Sequence, residues 1–273
     1  PEPGANIRAA GEDYTRGETL LRAGCHLGPQ QIALAASTGA AALAVQPRLR
    51  IALLITGDEL VAPGEALGDG QIHESNGHTL AALARALGAA VHCVERVPDD
   101  PAATRAALAA AAADADLVIT SGGASVGDCD HVRAAAGALG ALDFFGIAVK
   151  PGKPLAFGHA AGTPLLVLPG NPVSLFVTFL LFGAPLVRRL QGRSRTMPQA
   201  LEIPAGFEQA RTRARADYLR VSFEGGRAVP CGAQGSGLLR PTAAADGLAC
   251  VPPHTPVVPG DPLACWPLAT LLD

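Results

Sequence analysis

Aromatic residues are scarce in this sequence: one Trp, two Tyr and eight Phe among 273 residues, beside a single Met. Its cores must therefore be built from Leu, Val, Ile and Ala. Charge of one sign is missing as well. Lys and Arg number 21 against 24 Asp and Glu, a net charge of −3, so there is no broad basic field for nucleic acid and an anionic ligand would need a local cluster of cations. The six cysteines (Cys25, Cys93, Cys129, Cys231, Cys250 and Cys265) contain no C-x-x-C pair. That excludes a zinc or disulfide framework and leaves reduced thiols in a cytoplasmic protein as the expectation. The histidines show no H-E-x-x-H spacing, and neither a G-x-S-x-G elbow nor a Walker loop is present, which counts against zinc peptidases, serine hydrolases and P-loop NTPases. No signal-peptide order opens the chain and no internal repeat runs through it. The most apolar run, Val173 to Phe182, is too short and interrupted to span a bilayer and reads as a buried helix, so no membrane partner is expected.

What is present is alternation. Arg50 to Ile55 is a continuous apolar run ending in Thr56-Gly57, the pattern of a strand covered on both faces. Leu80, Leu83, Ala84 and Leu87 then recur at helical spacing behind Ser75 or Asn76 as N-cap. Val91 to Val97 reads as a second strand, Asp100-Pro101 opens an alanine-rich helix, and Leu117 to Thr120 forms a third strand. Asp130 can cap a helix to Leu139, and Phe144 to Val149 and Leu165 to Leu168 add strands. This order predicts an α/β fold, a doubly wound, mostly parallel sheet over residues 48–195. Residues 196–273, where Pro and Gly punctuate short runs such as Tyr218 to Phe223 and Gly247 to Val251, read as a small all-β domain. Residues 1–47 hold one helical segment, Pro29 to Ser37, too little for a core, and read as the remnant of a larger N-terminal architecture.

Ligands of open parallel sheets bind where strands end and the next helices begin. The polar residues of this chain gather there: Thr56 to Glu59, Asp99-Asp100, and Ser121 to Asp130 with Gly122, Gly123 and Ser125. Successive N–H groups in glycine-rich turns attract phosphate, and carboxylates clustered round an anion site commonly serve a divalent cation. Any one such loop is as readily a tight turn with an Asp cap; three at neighbouring strand ends are harder to dismiss. Lys150-Pro151-Gly152-Lys153-Pro154 is a stiff cationic turn suited to an oxyanion, or else two solvated lysines. Pro169-Gly170-Asn171-Pro172-Val173-Ser174 enters the apolar helix, and ordinary helix initiation accounts for it equally. Arg211, Arg213, Arg215 and Arg220 surround Asp217-Tyr218. Four arginines so close usually make a solvated strand edge; an oxyanion site borrowing one of them is the sharper alternative.

In order and spacing these segments resemble the molybdopterin molybdenumtransferase family, which includes bacterial MoeA and the E domain of gephyrin. The pieces are Gly11-Glu12-Asp13, Thr56 to Leu60, Gly70-Gln71-Ile72 with Ser75-Asn76, Thr120 to Asp130, Lys150 to Gly158, Leu168 to Ser174, and Gly232 to Ser236. The resemblance covers essentially the whole chain and implies molybdenum-cofactor biosynthesis: molybdate enters adenylylated molybdopterin with release of AMP, assisted by Mg2+. By position it assigns Glu59, Asp99 and Asp130 to the metal and, with Asp13 and Lys150, to catalysis. Gly122, Gly123, Ser125, Pro151, Lys153, Pro169, Asn171, Pro172, Ser174, Arg215 and Ser236 fall to substrate binding. It further implies a homodimer, whose N-terminal domains complete the partner's crevice, and contact with the molybdopterin adenylyltransferase. Two departures stand out. Gly146 replaces a frequent family Lys, and Ala233 replaces His in Gly-His-Gln-Gly-Ser. The nearest enzyme alternative, an adenylyltransferase of the same α/β fold, should carry Gly-Gly-Thr-Gly where this chain has Gly-Gly-Ala-Ser. A non-catalytic molybdopterin-binding scaffold is the alternative outside enzymes, and a nucleotide-binding regulatory domain a more distant one.

Overall fold

A computed structural model describes residues 2–123 and 131–273. The N-terminal stretch carries α1 (Pro29–Ser37) and buries one hydrophobic side chain, Ala35. From there the chain runs through β1 (Arg50–Thr56), β2 (Leu60–Val61), β3 (Ile72–His73), α2 (Asn76–Ala86), β4 (Ala90–Val97), α3 (Pro101–Asp114), β5 (Leu117–Ser121), α4 (His131–Leu139), β6 (Gly140–Phe145), β7 (Val149–Lys150), β8 (Ala156–Ala160) and β9 (Thr163–Leu168). The main sheet has the order β4-β1-β5-β9-β8-β6. The first four strands are mutually parallel, and β8 and β6 are added antiparallel.

Alternate residues of β1 enter different cores, as a strand covered on both faces requires. Ile51, Leu53 and Ile55 join the core under α2 and the later helix, while Ala52 and Leu54 join the core under α3 and α4. The doubly wound arrangement is thus present. Asp100 caps α3 by accepting the Ala103 N–H at 2.7 Å, with Pro101 in the first turn. α2 is capped differently: Ser75 makes no side-chain cap bond, and the buried Glu74 carboxylate accepts the Gly77 N–H at 2.7 Å instead.

The strand expected over residues 144–149 is a correction. Gly146, at φ +81°, divides it, so that β6 stays on the sheet edge while β7 leaves for the second sheet. β8 was also not anticipated, because Ala-Phe-Gly-His-Ala offers little β-branched or alternating pattern.

The apolar run is longer than expected, a correction: it forms one continuous helical stretch, Pro172–Leu190, with mean hydropathy 1.6, long and apolar enough to cross a membrane. Val173, Leu175, Val177, Phe179, Leu180, Ala184 and Val187 lie in the core, which is the buried-helix reading. It consists of α5 (Pro172–Thr178), a π-turn (Phe179–Gly183) and α6 (Ala184–Leu190). Pro185 supplies a cause for the wide turn: its ring would collide with the carbonyl four residues back, and it has no N–H to donate. At the far end Arg188 is buried and donates to the Leu271 carbonyl at 2.7 Å and the Asp273 carbonyl at 3.0 Å.

The rest comprises β10 (Leu201–Pro204), β11 (Ala216–Glu224), β12 (Arg227–Pro230), α7 (Leu239–Ala243), β13 (Gly247–Val251), β14 (Pro262–Pro267) and α8 (Leu268–Leu271). Its sheet, β10-β14-β13-β11-β12, has its own core of Leu219, Val221, Ala249, Val251, Leu263 and Cys265. β7 pairs in parallel with β11, so the two sheets are stitched together at Lys150.

Candidate functional site

Three strand ends meet beside the first turn of α2. Thr56 closes β1 and its Oγ1 donates to the Ser121 carbonyl at 3.3 Å. Gly122 follows β5 with φ +90°, and a Cβ there would stand 2.5 Å from Thr56 Oγ1, so the turn demands glycine on both counts. Its N–H reaches the Leu168 carbonyl at the end of β9 at 3.0 Å. Asn76 Nδ2 bridges Ser121 Oγ at 2.8 Å and the Gly170 carbonyl at 2.7 Å. Gly170 thus packs against Gly122, a Cβ built on it standing 3.7 Å from the Gly122 Cα.

The acidic residues lie to one side. β1 and β4 end in register, Thr56 beside Val97, which brings Asp58 and Asp99 together. The Asp99 N–H donates to Asp58 Oδ1 at 3.0 Å, and the Asp58 N–H to Asp99 Oδ2 at 3.4 Å. Glu59 folds its carboxylate back over Gly57, whose Cβ would lie 2.7 and 2.9 Å from the two oxygens. Glu59 and Asp99 therefore share the carboxyl edge of neighbouring strands. Asp130 and Ser125 lie outside the described residues.

A second cluster joins the two sheets. Lys150 Nζ lies 3.2 Å from Asp217, whose side chain is only 3% exposed. Arg213 Nε approaches the same carboxylate at 2.7 Å, but outside hydrogen-bond geometry, so that contact is Coulombic. Arg215 Nη1 donates to the Val149 carbonyl at 3.1 Å. Arg220 is fully buried; its Nη2 donates to the Ala233 carbonyl at 3.0 Å, and Gln234 Oε1 accepts its backbone N–H at 2.9 Å. Burial pushes its pKa below the usual guanidinium value, with Cys231 and Asp217 opposing, and its Nε and Nη1 have no partner. Arg211 is exposed and the Arg213 side chain remains 38% exposed, whereas Arg220 is buried, so the solvated-edge reading does not hold for Arg220.

The loop Pro169–Ser174 runs from the Gly122 turn to the 232–236 loop. Gly170 faces Gly122, and the Val173 N–H donates to the Ser236 carbonyl at 3.0 Å. Ser174 is buried, and its carbonyl accepts Thr178 Oγ1, while Gly152 packs on the Thr178 methyl. Asn171 is exposed at the start of α5 and Pro172 begins it; Pro151 is buried, and Lys153 projects to solvent. Asp13 sits apart in an exposed segment.

Known proteins match along the whole chain. Residues 52–189 match the family model of a probable molybdopterin binding domain, 202–268 that of the MoeA C-terminal region (domain IV), and 1–39 that of the MoeA N-terminal region (domains I and II). Molybdopterin molybdenumtransferase 2 of Mycobacterium tuberculosis is 40% identical over 281 residues, spanning 97% of this chain and 68% of the relative. The chain belongs to the molybdopterin molybdenumtransferase family. The Haemophilus influenzae molybdopterin molybdenumtransferase is 43% identical over 193 residues, 71% of this chain and 48% of the relative. A crystal structure of the molybdopterin biosynthesis MoeA protein from Pyrococcus horikoshii superposes with TM-score 0.79 at 31% identity, covering 93% of this chain and 63% of that one.

The sequence resemblance implies a divalent cation, and the donor set can be tested for it. Magnesium takes hard oxygen ligands, usually one or two carboxylates completed by water and phosphate. Among the described residues no three His, Cys, Asp or Glu side chains converge on a metal position. Glu59 and Asp99 do supply carboxylates beside a phosphate-type glycine turn. The chemistry fits a magnesium shared with substrate phosphates, not a site closed by protein alone. Arg220 was named in the sequence only as one of four arginines, because an arginine inside a basic run carries no mark of burial; on β11 it falls on the face opposite Leu219 and Val221, so strand alternation does not single it out.

Proposed function

We propose that this chain performs the molybdate-insertion step of molybdenum-cofactor synthesis, taking molybdate and adenylylated molybdopterin and releasing AMP. The observation carrying this reading is the loop Pro169–Ser174, which meets Gly122 and Asn76 through Gly170, the Lys150–Lys153 turn through Gly152 beside the Ser174 carbonyl, and the 232–236 loop through the Val173 N–H on the Ser236 carbonyl. A donor with phosphates and a separate oxyanion need two adjoining seats of that character.

In this reading the backbone N–H groups of Gly123, Gly170 and Asn171 receive the phosphates of the adenylylated substrate, the Gly122 N–H being committed to the Leu168 carbonyl. Lys150, Ser174, Ser236 and Arg220 receive the oxyanion. Arg220 replaces Arg215 as the principal guanidinium, because it alone combines full burial with unpartnered nitrogens. Lys153 supplies long-range attraction from solvent. Glu59 and Asp99, together with Asp130, would hold a magnesium ion, which when bound neutralises charge on the departing phosphate. Fixed cations that are buried, as Arg220 is, act more strongly than they would in water.

The experiment is AMP release from adenylylated molybdopterin by the purified chain with magnesium. Release that depends on molybdate concentration is expected. Substrate binding without release would make the chain a molybdopterin-binding scaffold.

A further inference from the structure

Asn76 occupies an unusual place: the first residue of α2, 7% exposed, with its side chain between two loops. Nδ2 serves both Ser121 Oγ and the Gly170 carbonyl. A carbonyl can only accept, so the contact with Gly170 fixes which end of the amide is nitrogen. Oδ1 is then buried with no hydrogen-bond partner among the described residues. A buried acceptor left unmatched is costly and is rare in folded proteins. Among the described residues Asn76 is the side chain that hydrogen-bonds both loops, and Thr56 reaches only the Ser121 side.

We infer that Asn76 is the positioning residue of the glycine crevice. It sets the separation of the Ser121–Gly123 and Pro169–Asn171 connections, and its free Oδ1 is the seat for an N–H or O–H donor on the bound ligand. Phosphate and molybdate, as anions, carry no such donor. The half of the reactants that does is the nucleotide-and-pterin substrate, with amino, amide and hydroxyl groups. Asn76 therefore governs that substrate and not the oxyanion. The Lys150–Arg220 cluster is held by the β7–β11 pairing and by Gln234, none of which touches Asn76. This inference rests on the proposed function.

The test uses the full chain, with AMP and molybdate as separate calorimetric probes and hydrogen exchange over residues 117–123 and 165–171. Asn76→Ala removes both donors and the acceptor; Asn76→Asp keeps an acceptor but sets a carboxylate against the Gly170 carbonyl. Both should weaken AMP by about tenfold or more, as expected from two lost hydrogen bonds, raise exchange in both segments together, and leave molybdate within about twofold. Ser121→Ala, a milder change should the first two fail to fold, should weaken AMP by a few-fold in the same pattern. The inference is overturned if AMP affinity is unchanged, or if AMP and molybdate weaken in parallel with a falling melting temperature, the mark of a merely structural role. Wild-type chain that binds no AMP would instead sink the functional reading, and the inference with it.

Discussion

Lys150 and Asp217 stand opposite each other in the parallel register of β7 and β11, and the lysine ammonium lies 3.2 Å from a carboxylate that is almost wholly buried. Sixty-seven residues apart in sequence, they couple the α/β sheet to the β sheet at the edge of the proposed oxyanion seat. Asp217 thereby orients Lys150, and Arg213 keeps Asp217 compensated.

Lys150→Ala should consequently leave the fold intact, because Asp217 retains Arg213. Its effect should fall on molybdate, with a loss of roughly 1.5–3 kcal/mol, the range for a hydrogen bond to a charged group. Isothermal titration with molybdate measures it, and Arg220→Met, which keeps the buried stem, should lower affinity similarly. Unchanged molybdate affinity in both variants would remove the oxyanion from this cluster.

Gly122→Ala addresses the crevice. Its Cβ would meet Thr56 Oγ1 at 2.5 Å, in a backbone conformation, φ +90°, that L-residues avoid. The expected cost is about 1–3 kcal/mol of unfolding free energy, the scale of local backbone strain. Adding Thr56→Ala relieves the collision and not the dihedral, so the double variant should recover part of that loss in denaturant titration. Full recovery would mean that the turn carries no backbone strain, and no recovery that the collision is absorbed elsewhere.

Local signals made much of this molecule legible. The apolar run of β1, the Asp100-Pro101 start of α3, Pro29 to Ser37 and Gly247 to Val251 are each written in neighbouring residues, and the structure has them. The less legible parts depend on partners distant in sequence. Whether Val149-Lys150 continues β6 or joins β11 is decided by the pairing with Ala216-Asp217. The burial of Arg220 follows from the loop at Ala233-Gln234 folding over it. Glu59 and Asp99 follow the ends of neighbouring strands, because parallel pairing of β1 and β4 aligns those ends, a relation that strand alternation in the sequence already implies.

Alkaline pH should weaken the fold. Burial, assisted by Cys250, pushes the Tyr218 phenol from 10.0 to about 12, and burial pushes the Cys265 thiol from 9.0 to about 11. The unfolded chain releases these protons at lower pH than the folded one, so the folded state binds more protons between the two values. Stability is thus fully present below pH 9, falls as pH rises through the interval from 9 to about 12, and then levels. Melting temperatures across that interval measure the decline. Tyr218→Phe should flatten the segment between 10.0 and about 12. An unaltered slope in that variant would assign the decline to other groups.

The last prediction concerns Asp13. Residues 2–47 bury one hydrophobic side chain, Ala35, and leave Ile7 76%, Val45 67% and Ile32 55% exposed. Tyr14 Oη reaches only Ser37 within the same segment, and the backbone tie to the α/β sheet's surroundings is Ser194 N–H to the Gly24 carbonyl at 2.9 Å. Apolar groups so exposed are commonly covered by another surface, and a two-fold dimer offers the same patch to both copies. Asp13 is then expected to serve the crevice of the partner subunit. Asp13→Ala and Lys150→Ala, each impaired at sub-saturating molybdate, should complement when mixed. Half of randomly assembled dimers are mixed, and each holds one intact site, so about a quarter of sites should regain activity. Linear summation of the two separate activities on mixing, with light scattering reporting a monomer, would return Asp13 to the role of a simple turn residue.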